Sequence, residues 1–189
     1  MWDLPENPLG HTVGFSNAEA MTGVVEQLAA TGRRRIAFIG ADDNSDVRGS
    51  ERCKGVVATA ARLNLPEVTV VGIGQAPVSM TEGARAVERM GDQLSEFDAL
   101  VCVSDTVAFG VQSACQRMGI RIPEDLAITG FGAFEISATS NPRITTVDVF
   151  AYDIGVATGN LISRVLSEEG VRQPETINTG SRFLQGETS

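Results

Sequence analysis

The stretch from Ala99 to Glu135 limits the possible folds more than any other part of this 189-residue chain. Residues 99–103 are consecutive apolar residues, typical of a strand that is buried on both faces. The segment 107–118 repeats apolar residues at helical spacing, and Gly119 offers the left-handed conformation that ends a helix. Residues 126–129 form a second apolar run. Strand, helix and strand within about thirty residues predict a βαβ unit with parallel strands and a right-handed crossover.

The same alternation of short apolar runs and amphipathic segments continues on both sides of this unit. Further strands are predicted at 11–15, 36–39, 68–71 and 144–147, and further helices at 17–30, 47–63, 79–94 and 153–166. Asn17 and Ser79 are expected to cap two of these helices. Alternating strands and helices predict an α/β fold with a doubly wound, mainly parallel sheet.

Composition and charge argue against several classes of function. The formal net charge is −9, from 15 basic and 24 acidic residues, so these residues alone are not expected to hold nucleic acid. No apolar run approaches the roughly 20 residues that cross a bilayer. The N-terminus also lacks the pattern of a secretory signal peptide, so no membrane partner is expected.

The reactive side chains are few and scattered. Cys53, Cys102 and Cys115 lack metal-ligand spacing and are expected to be free thiols in a reducing cytoplasm. His11 is the only histidine, so a Ser-His-Asp or Cys-His arrangement would need this one residue of an extended N-terminal segment. The sequence therefore predicts no enzyme, no cofactor and no metal site.

A ligand site is expected at one edge of the sheet, because open α/β sheets bind ligands outside the carboxyl ends of their strands. These ends are Ser104, Asp105 and Thr106 after one strand and residues 130–135 after the next. Asp105 is expected to cap the following helix, and hydrogen bonding to a ligand hydroxyl is a compatible second role.

Two arginines follow another strand end. Arg48 and Arg52 are one helical turn apart and share a helix face, from which guanidinium groups bind carboxylates or hydroxyl-rich ligands. The alternative is a solvated helix start, with local ion partners among the acidic residues Asp42, Asp43 and Asp46. Spacing alone does not choose between the two interpretations.

Six stretches, taken in order and spacing, closely resemble the effector-binding core of the lactose-repressor/galactose-repressor (LacI/GalR) family of bacterial transcription regulators. They are VGFSN at 13–17, GRRRIAFI at 32–39, RCKG at 52–55, VSDTVAFG at 103–110, IPEDLAITGF at 122–131 and PRITTV at 142–147. The resemblance covers nearly the whole chain, and the ordered set is far more specific than any one motif.

The resemblance implies a fold and a division into domains. Family members carry a DNA-binding headpiece followed by two lobes like those of type I periplasmic sugar-binding proteins, with the effector between the lobes. By this resemblance, residues 1–13 end the first lobe and residues 14–147 form the second lobe. Residues 148–175 return to the first lobe, and residues 176–189 supply C-terminal strands of the second. The headpiece and much of the first lobe are expected to be absent from these residues.

The resemblance also implies effector contacts. It places on contact positions, or beside them, Asp3, Arg48, Arg52, Val78, Ser104, Asp105, Thr106, Phe150 and Tyr152.

Gly132 departs from the family pattern, since most relatives carry an aspartate there that binds sugar hydroxyls. Loss of that anion favours a negatively charged ligand. Residues 130–135 include Gly132 and Phe134 as further expected contacts. With residues 2–3 and 14–17, this segment is similar to the gluconate-operon repressor subgroup. The specific hypothesis is therefore a sugar acid held by the two arginines.

The function implied by the resemblance is the effector-binding and dimerisation region of a cytoplasmic transcriptional regulator of the repressor type. The expected partners are a small sugar or sugar acid such as gluconate, a second copy of the chain, and operator DNA through the headpiece alone. The dimer surface would lie near Met80, Phe109 and Ile136.

Two other functions fit part of the sequence pattern. A solute-binding protein for sugar transport shares the two-lobed fold, but the free thiols and the lack of a signal-peptide pattern argue against it. A phospho-acceptor domain would use Asp42 and Asp43 after a strand. Such domains also need a lysine after a late strand, and Lys54 is the only lysine.

Overall fold

The computed structural model describes residues 4–5, 7–42, 46–167 and 173–189. Its strands are β1 (Thr12–Gly14), β2 (Ile36–Gly40), β3 (Thr69–Gly72), β4 (Ala99–Cys102), β5 (Ala127–Thr129), β6 (Thr146–Asp148), β7 (Thr176–Asn178) and β8 (Arg182–Leu184). Its α-helices are α1 (Asn17–Ala30), α2 (Val47–Arg62), α3 (Met80–Met90), α4 (Asp105–Arg117), α5 (Glu135–Thr139) and α6 (Ala151–Ser167), and a 3₁₀ helix follows α3 at Gly91–Glu96.

The central sheet has the strand order β3-β2-β4-β5, and every neighbouring pair is parallel. Val101 lies in its middle, paired with Phe38 of β2 on one side and with Thr129 of β5 on the other. Every residue of β4 is fully buried, as its unbroken apolar run predicts. The α/β fold with a mainly parallel sheet is thereby confirmed.

The predicted βαβ unit is present as β4, α4 and β5. Its two strands are parallel neighbours. The helix ends at Arg117 with Met118 as its C-cap, and Gly119 then takes a φ of +78°, the left-handed conformation expected of the residue that ends this helix.

The helices pack in pairs on the sheet, α1 on α2 and α3 on α4. Each pair meets at a glycine that lets two backbones approach closely. A Cβ at Gly55 of α2 would overlap the carbonyl oxygen of Ala18 in α1, and a Cβ at Gly110 of α4 would overlap that of Met80 in α3. The starts of the helices are therefore held in fixed positions at the carboxyl edge of the sheet.

The other four strands form two smaller ladders. β1 pairs with β7 in parallel, and β6 pairs with β8 in antiparallel orientation. A single parallel bridge between Thr129 and Thr145 joins β5 to the chain that leads into β6. Thr188 donates its hydroxyl to the Ile128 carbonyl at 2.6 Å, so the C-terminal segment lies along this edge of the sheet.

Some boundaries differ from the predicted ones. Ser16, not Asn17, caps α1, because its hydroxyl accepts a hydrogen bond from the Glu19 amide at 3.2 Å. The predicted helix 79–94 is α3 followed by a 3₁₀ helix, since Gly91 takes a φ of +51° and interrupts the α-helical bonding.

Helix α6 packs against β1 and buries Ile154 and Leu161. Ala157 and Val165 are partly buried against the core, whereas Tyr152, Val156, Ile162 and Leu166 stay exposed. No helix among the described residues is both long enough and apolar enough to span a membrane.

Candidate functional site

Two adjoining cavities of about 230 and 530 Å³ lie at the carboxyl ends of the central strands. Both are lined by Asp46, Arg48, Arg52, Ser104 and Phe134, so they form one divided cleft. This is the edge of the sheet at which an open α/β fold places its ligand.

Arg52 lies on the first turns of α2 and is half-buried. Its Nη1 donates a hydrogen bond to Asn17 Oδ1 at 3.3 Å, and its guanidinium carbon lies 4.4 Å from the centre of the Phe131 ring. This cation–π contact contributes on the order of 1 kcal/mol and holds the guanidinium plane in place. Arg48 lies one turn earlier and is exposed, so the two arginines differ in burial as well as in position.

Asp46 caps α2. Its Oδ1 accepts a hydrogen bond from the Gly49 amide at 2.8 Å, which fixes the direction in which the helix leaves the strand end. Its carboxylate also borders both cavities, beside the two guanidinium groups. Among the described residues, the cleft therefore contains one acidic and two basic side chains, which together carry a net positive charge.

The opposite wall is the start of α4. Ser104 caps this helix, because its Oγ accepts a hydrogen bond from the Val107 amide at 3.3 Å. The same hydroxyl lies 2.9 Å from Thr106 Oγ1. Ser104 borders both cavities and Thr106 the larger one, so this helix start presents two adjacent hydroxyl groups to the cleft.

Asp105 is not the helix cap that was predicted. Its side chain is completely buried, with Oδ1 accepting from Thr146 Oγ1 at 2.5 Å and Oδ2 accepting from the Phe134 amide at 2.7 Å. The cap position belongs to Ser104, which precedes the helix and has extended backbone. Burial raises the pKa of Asp105 above its ordinary value, although the two hydrogen bonds act in the opposite direction.

Gly132 and Phe134 form a third wall. Gly132 has a φ of +119°, a conformation that favours glycine. A Cβ built on it would lie 3.1 Å from the Phe134 ring. The ring of Phe134 is half-exposed and borders both cavities, so it occupies the space into which a side chain at position 132 would project.

Comparison with known proteins places the chain in a family. Residues 25–189 match the model of the periplasmic binding protein-like domain. The crystal structure of a LacI family transcriptional regulator from Silicibacter pomeroyi superposes with a TM-score of 0.88 and 33% identity, over 99% of this chain and 67% of that one. This chain belongs to the LacI family.

The chain is also similar to two transcriptional regulators named GntR. The crystal structure of the transcription regulator GntR from Chromobacterium violaceum superposes with a TM-score of 0.89 at 29% identity, over 100% of this chain and 68% of that one. The regulator GntR of Escherichia coli K12 is 29% identical over 92% of this chain and 51% of its own length. The chain thus spans about half the length of the curated relatives it matches.

The structure of this LacI-family chain brings most of the predicted contact residues together. The following border the divided cleft: Arg48, Arg52, Val78, Ser104, Thr106, Gly132 and Phe134. The prediction depends on the carboxyl ends of parallel strands meeting at one edge of the sheet. These side chains lie together at that edge.

Of the predicted contacts that the structure describes, three do not border the cleft: Asp105, whose side chain is buried, Phe150 and Tyr152. Phe150 does not border the cleft, because its backbone has a φ of +50° and its ring lies 5.4 Å from the guanidinium carbon of Arg182. Tyr152 is 82% exposed on the first turn of α6. Asp3 lies outside the described residues, and so does Asp43, one of the expected ion partners of the arginines.

Sequence reasoning placed Phe131 within the expected segment 130–135 but did not single out Phe15, Asn17 or Val149 as contacts. Phe15, Asn17, Phe131 and Val149 border the smaller cavity, and the rings of Phe15 and Phe131 lie 6.0 Å apart. Phe15 and Asn17 follow β1, Phe131 follows β5 and Val149 follows β6. Their position after strand ends is the signal that could have found them.

In the part of the chain that the structure describes, no group of three or more histidine, cysteine or acidic side chains could hold a metal ion.

Proposed function

We propose that this chain is the effector-binding and dimerisation region of a bacterial transcriptional regulator that senses a small sugar acid such as gluconate. The observation that carries the proposal is the divided cleft. It sets the guanidinium groups of Arg48 and Arg52 across from the hydroxyl groups of Ser104 and Thr106.

The chemistry of the cleft suits a compact polyhydroxy carboxylate. A guanidinium group binds a carboxylate through two parallel charge-assisted hydrogen bonds. Hydroxyl groups of the ligand find donors and acceptors in the Ser104–Thr106 pair and an acceptor in Asp46. The Phe134 ring gives the carbon chain an apolar surface. Gly132 brings no second carboxylate to repel the anion, and its close contact with Phe134 leaves little room for one.

Whole-protein properties are proposed from the family resemblance. Residues 1–13 and 148–175 would belong to a first lobe, with residues 14–147 and 176–189 in the second. Effector binding between the lobes would favour one lobe orientation and so change the spacing of two headpieces on operator DNA. The regulator would act as a cytoplasmic homodimer through the starts of α3 and α4, where Met80 and Phe109 border a shallow surface cavity.

The proposal is tested by isothermal titration of the full-length protein with D-gluconate. The matched control ligand is D-glucitol, which has the same carbon chain without the carboxylate. We expect saturable heat with gluconate and none with glucitol. The opposite pattern, binding of a neutral polyol or sugar with no heat from gluconate, would refute the sugar-acid assignment.

Two variants on helix α2 distinguish an effect of the cleft from an effect of surface charge. Arg52→Gln should weaken gluconate binding about tenfold or more, because it removes a charge-assisted hydrogen bond. Arg62→Gln, on the last turn of the same helix, removes only an exposed ion pair with Glu26 at 2.7 Å. It should leave the affinity unchanged. Equal losses in both variants would mean that overall charge, not the cleft, governs binding.

A further inference from the structure

The loop between β5 and α5 carries Phe134 in an unusual backbone conformation. Gly132 and Ala133 have φ values of +119° and +51°, so two consecutive residues lie in the left-handed region. Alanine adopts this region only at an energetic cost, and such conformations persist where surrounding contacts impose them. The contacts that impose this backbone conformation therefore identify the residues that hold the Phe134 ring in the cleft.

Three amide hydrogen bonds hold the loop. The Gly132 amide donates to the Val147 carbonyl at 2.9 Å, and the Ala133 amide donates to Thr146 Oγ1 at 3.3 Å. The Phe134 amide donates to Asp105 Oδ2 at 2.7 Å. The Thr146 hydroxyl in turn donates to the other oxygen of the same carboxylate, at 2.5 Å. Both oxygens of Asp105 are therefore used in holding the loop, one directly and one through Thr146.

This pair of side chains is deeply buried, with Asp105 0% and Thr146 2% exposed. Asp105 is also the first residue of α4, and its own amide donates to the Phe131 carbonyl at 3.0 Å. Its sequence neighbours present their hydroxyl groups to the cleft, whereas its carboxylate points away from it. One buried carboxylate thus connects two walls of the cleft, the helix start and the loop.

We propose that Asp105 and Thr146 are positioning residues for the effector site, which act by holding the Phe134 ring in the cleft rather than by touching the effector. This inference rests on the proposed function for its ligand, and it departs from the direct contact that the family resemblance implies for Asp105. It assigns to Thr146 a part in effector recognition although its side chain does not border the cleft.

A double-mutant cycle, with D-gluconate binding to the full-length protein as the measurement, tests whether Asp105 acts through Phe134. Asparagine at 105 keeps the shape of the side chain but offers an amide group in place of one acceptor oxygen. Asp105→Asn should weaken gluconate binding about tenfold in the native background and less than about twofold in a Phe134→Leu background. Equal losses in both backgrounds would overturn the proposal, because they would mean that Asp105 acts independently of Phe134.

Fluorine NMR of protein labelled with 4-fluorophenylalanine supplies a measurement that needs no ligand. The spectrum of Phe134→Leu assigns the Phe134 signal. Thr146→Val should shift or broaden that signal, and Thr146→Ser, which keeps the hydroxyl, should restore it. An unchanged Phe134 signal in Thr146→Val would overturn the proposal, and this arm remains decisive if Asp105→Asn does not fold.

The two arms also distinguish the failure of this inference from failure of the proposed function. If gluconate gives no heat with the native protein but the fluorine signal responds to Thr146→Val, the sugar-acid assignment fails and the positioning role stands. If gluconate binds and the cycle is additive, the positioning role fails and the proposed function stands.

Discussion

Replacing Gly55 by alanine should destabilise the protein, because α2 passes directly over the backbone of α1 at this residue. A Cβ at Gly55 would lie 2.8 Å from the Ala18 Cα and would overlap the Ala18 carbonyl oxygen. Backbone atoms of a packed helix cannot rotate away as a flexible side chain can. The overpacking cost should therefore be near the upper end of the usual range, about 3 kcal/mol. Alanine regains about 1 kcal/mol of helix propensity, which leaves a net loss of about 2 kcal/mol.

The assay is urea unfolding followed by far-UV circular dichroism, with thermal unfolding as a second measurement. A loss of about 2 kcal/mol should lower the melting temperature by about 4–8 °C for a chain of this size. Gly159→Ala on α6 is the matched control, since a Cβ there meets nothing within 4 Å. It should stabilise by about 0.5–1 kcal/mol. The reasoning is refuted if Gly55→Ala is as stable as the native protein while Gly159→Ala behaves as expected.

Three further predictions concern the core, a surface ion pair and the thiols. Leu100→Ala, at a fully buried position of β4, should lower the free energy of unfolding by about 2–5 kcal/mol in the same urea assay, and a loss below about 1 kcal/mol would contradict the packing described. The Arg35 guanidinium forms an ion pair with Asp98, donating to its Oδ1 at 2.7 Å, and lowers the pKa of Asp98 from 3.8 to about 2. The stabilisation from this ion pair is therefore complete above the ordinary pKa of Asp98 and is lost as the pH falls towards 2. Asp98→Asn should therefore cost about 1 kcal/mol at neutral pH and show a flatter stability profile in acid, and an unchanged profile would argue against the ion pair. Burial raises the pKa of Cys102 well above its ordinary value and that of Cys115 to about 12, so both thiols stay protonated and shielded in the folded protein. A thiol reagent at pH 8 should therefore modify at most Cys53 before urea is added, and all three cysteines afterwards.

The parts of the fold that sequence predicted well depend on local signals. The run 99–103 is too short and too apolar for anything but a buried strand, and Gly119 marks the end of the next helix. The positions of Arg48, Arg52 and Ser104 at one edge followed from topology, because parallel strands in a doubly wound sheet end on the same side. Neither inference required knowledge of any long-range contact.

Sequence reasoning reaches its limit where distant residues decide the position of a side chain. Asp105 has the residue type and place of a helix cap, but Thr146, 41 residues later, draws its carboxylate into the interior. Phe150 is a contact position by resemblance, and in the structure its ring lies against the guanidinium of Arg182, in a strand much later in the sequence. No pattern of residues near Asp105 or Phe150 records these partners.

The β1–β7 ladder bears on the order in which this chain acquires its structure. In this ladder the hydroxyl groups of Thr12 and Thr176 are hydrogen-bonded, although the two residues are 164 positions apart in the sequence. In the central sheet, by contrast, neighbouring strands such as β2 and β3 are separated by a single helix. Closing so long a loop carries the larger entropic penalty, so the sheet should assemble early and the ladder late. Held by only three residues on each strand, the ladder should also be among the first regions to exchange its amide hydrogens when the folded protein opens transiently.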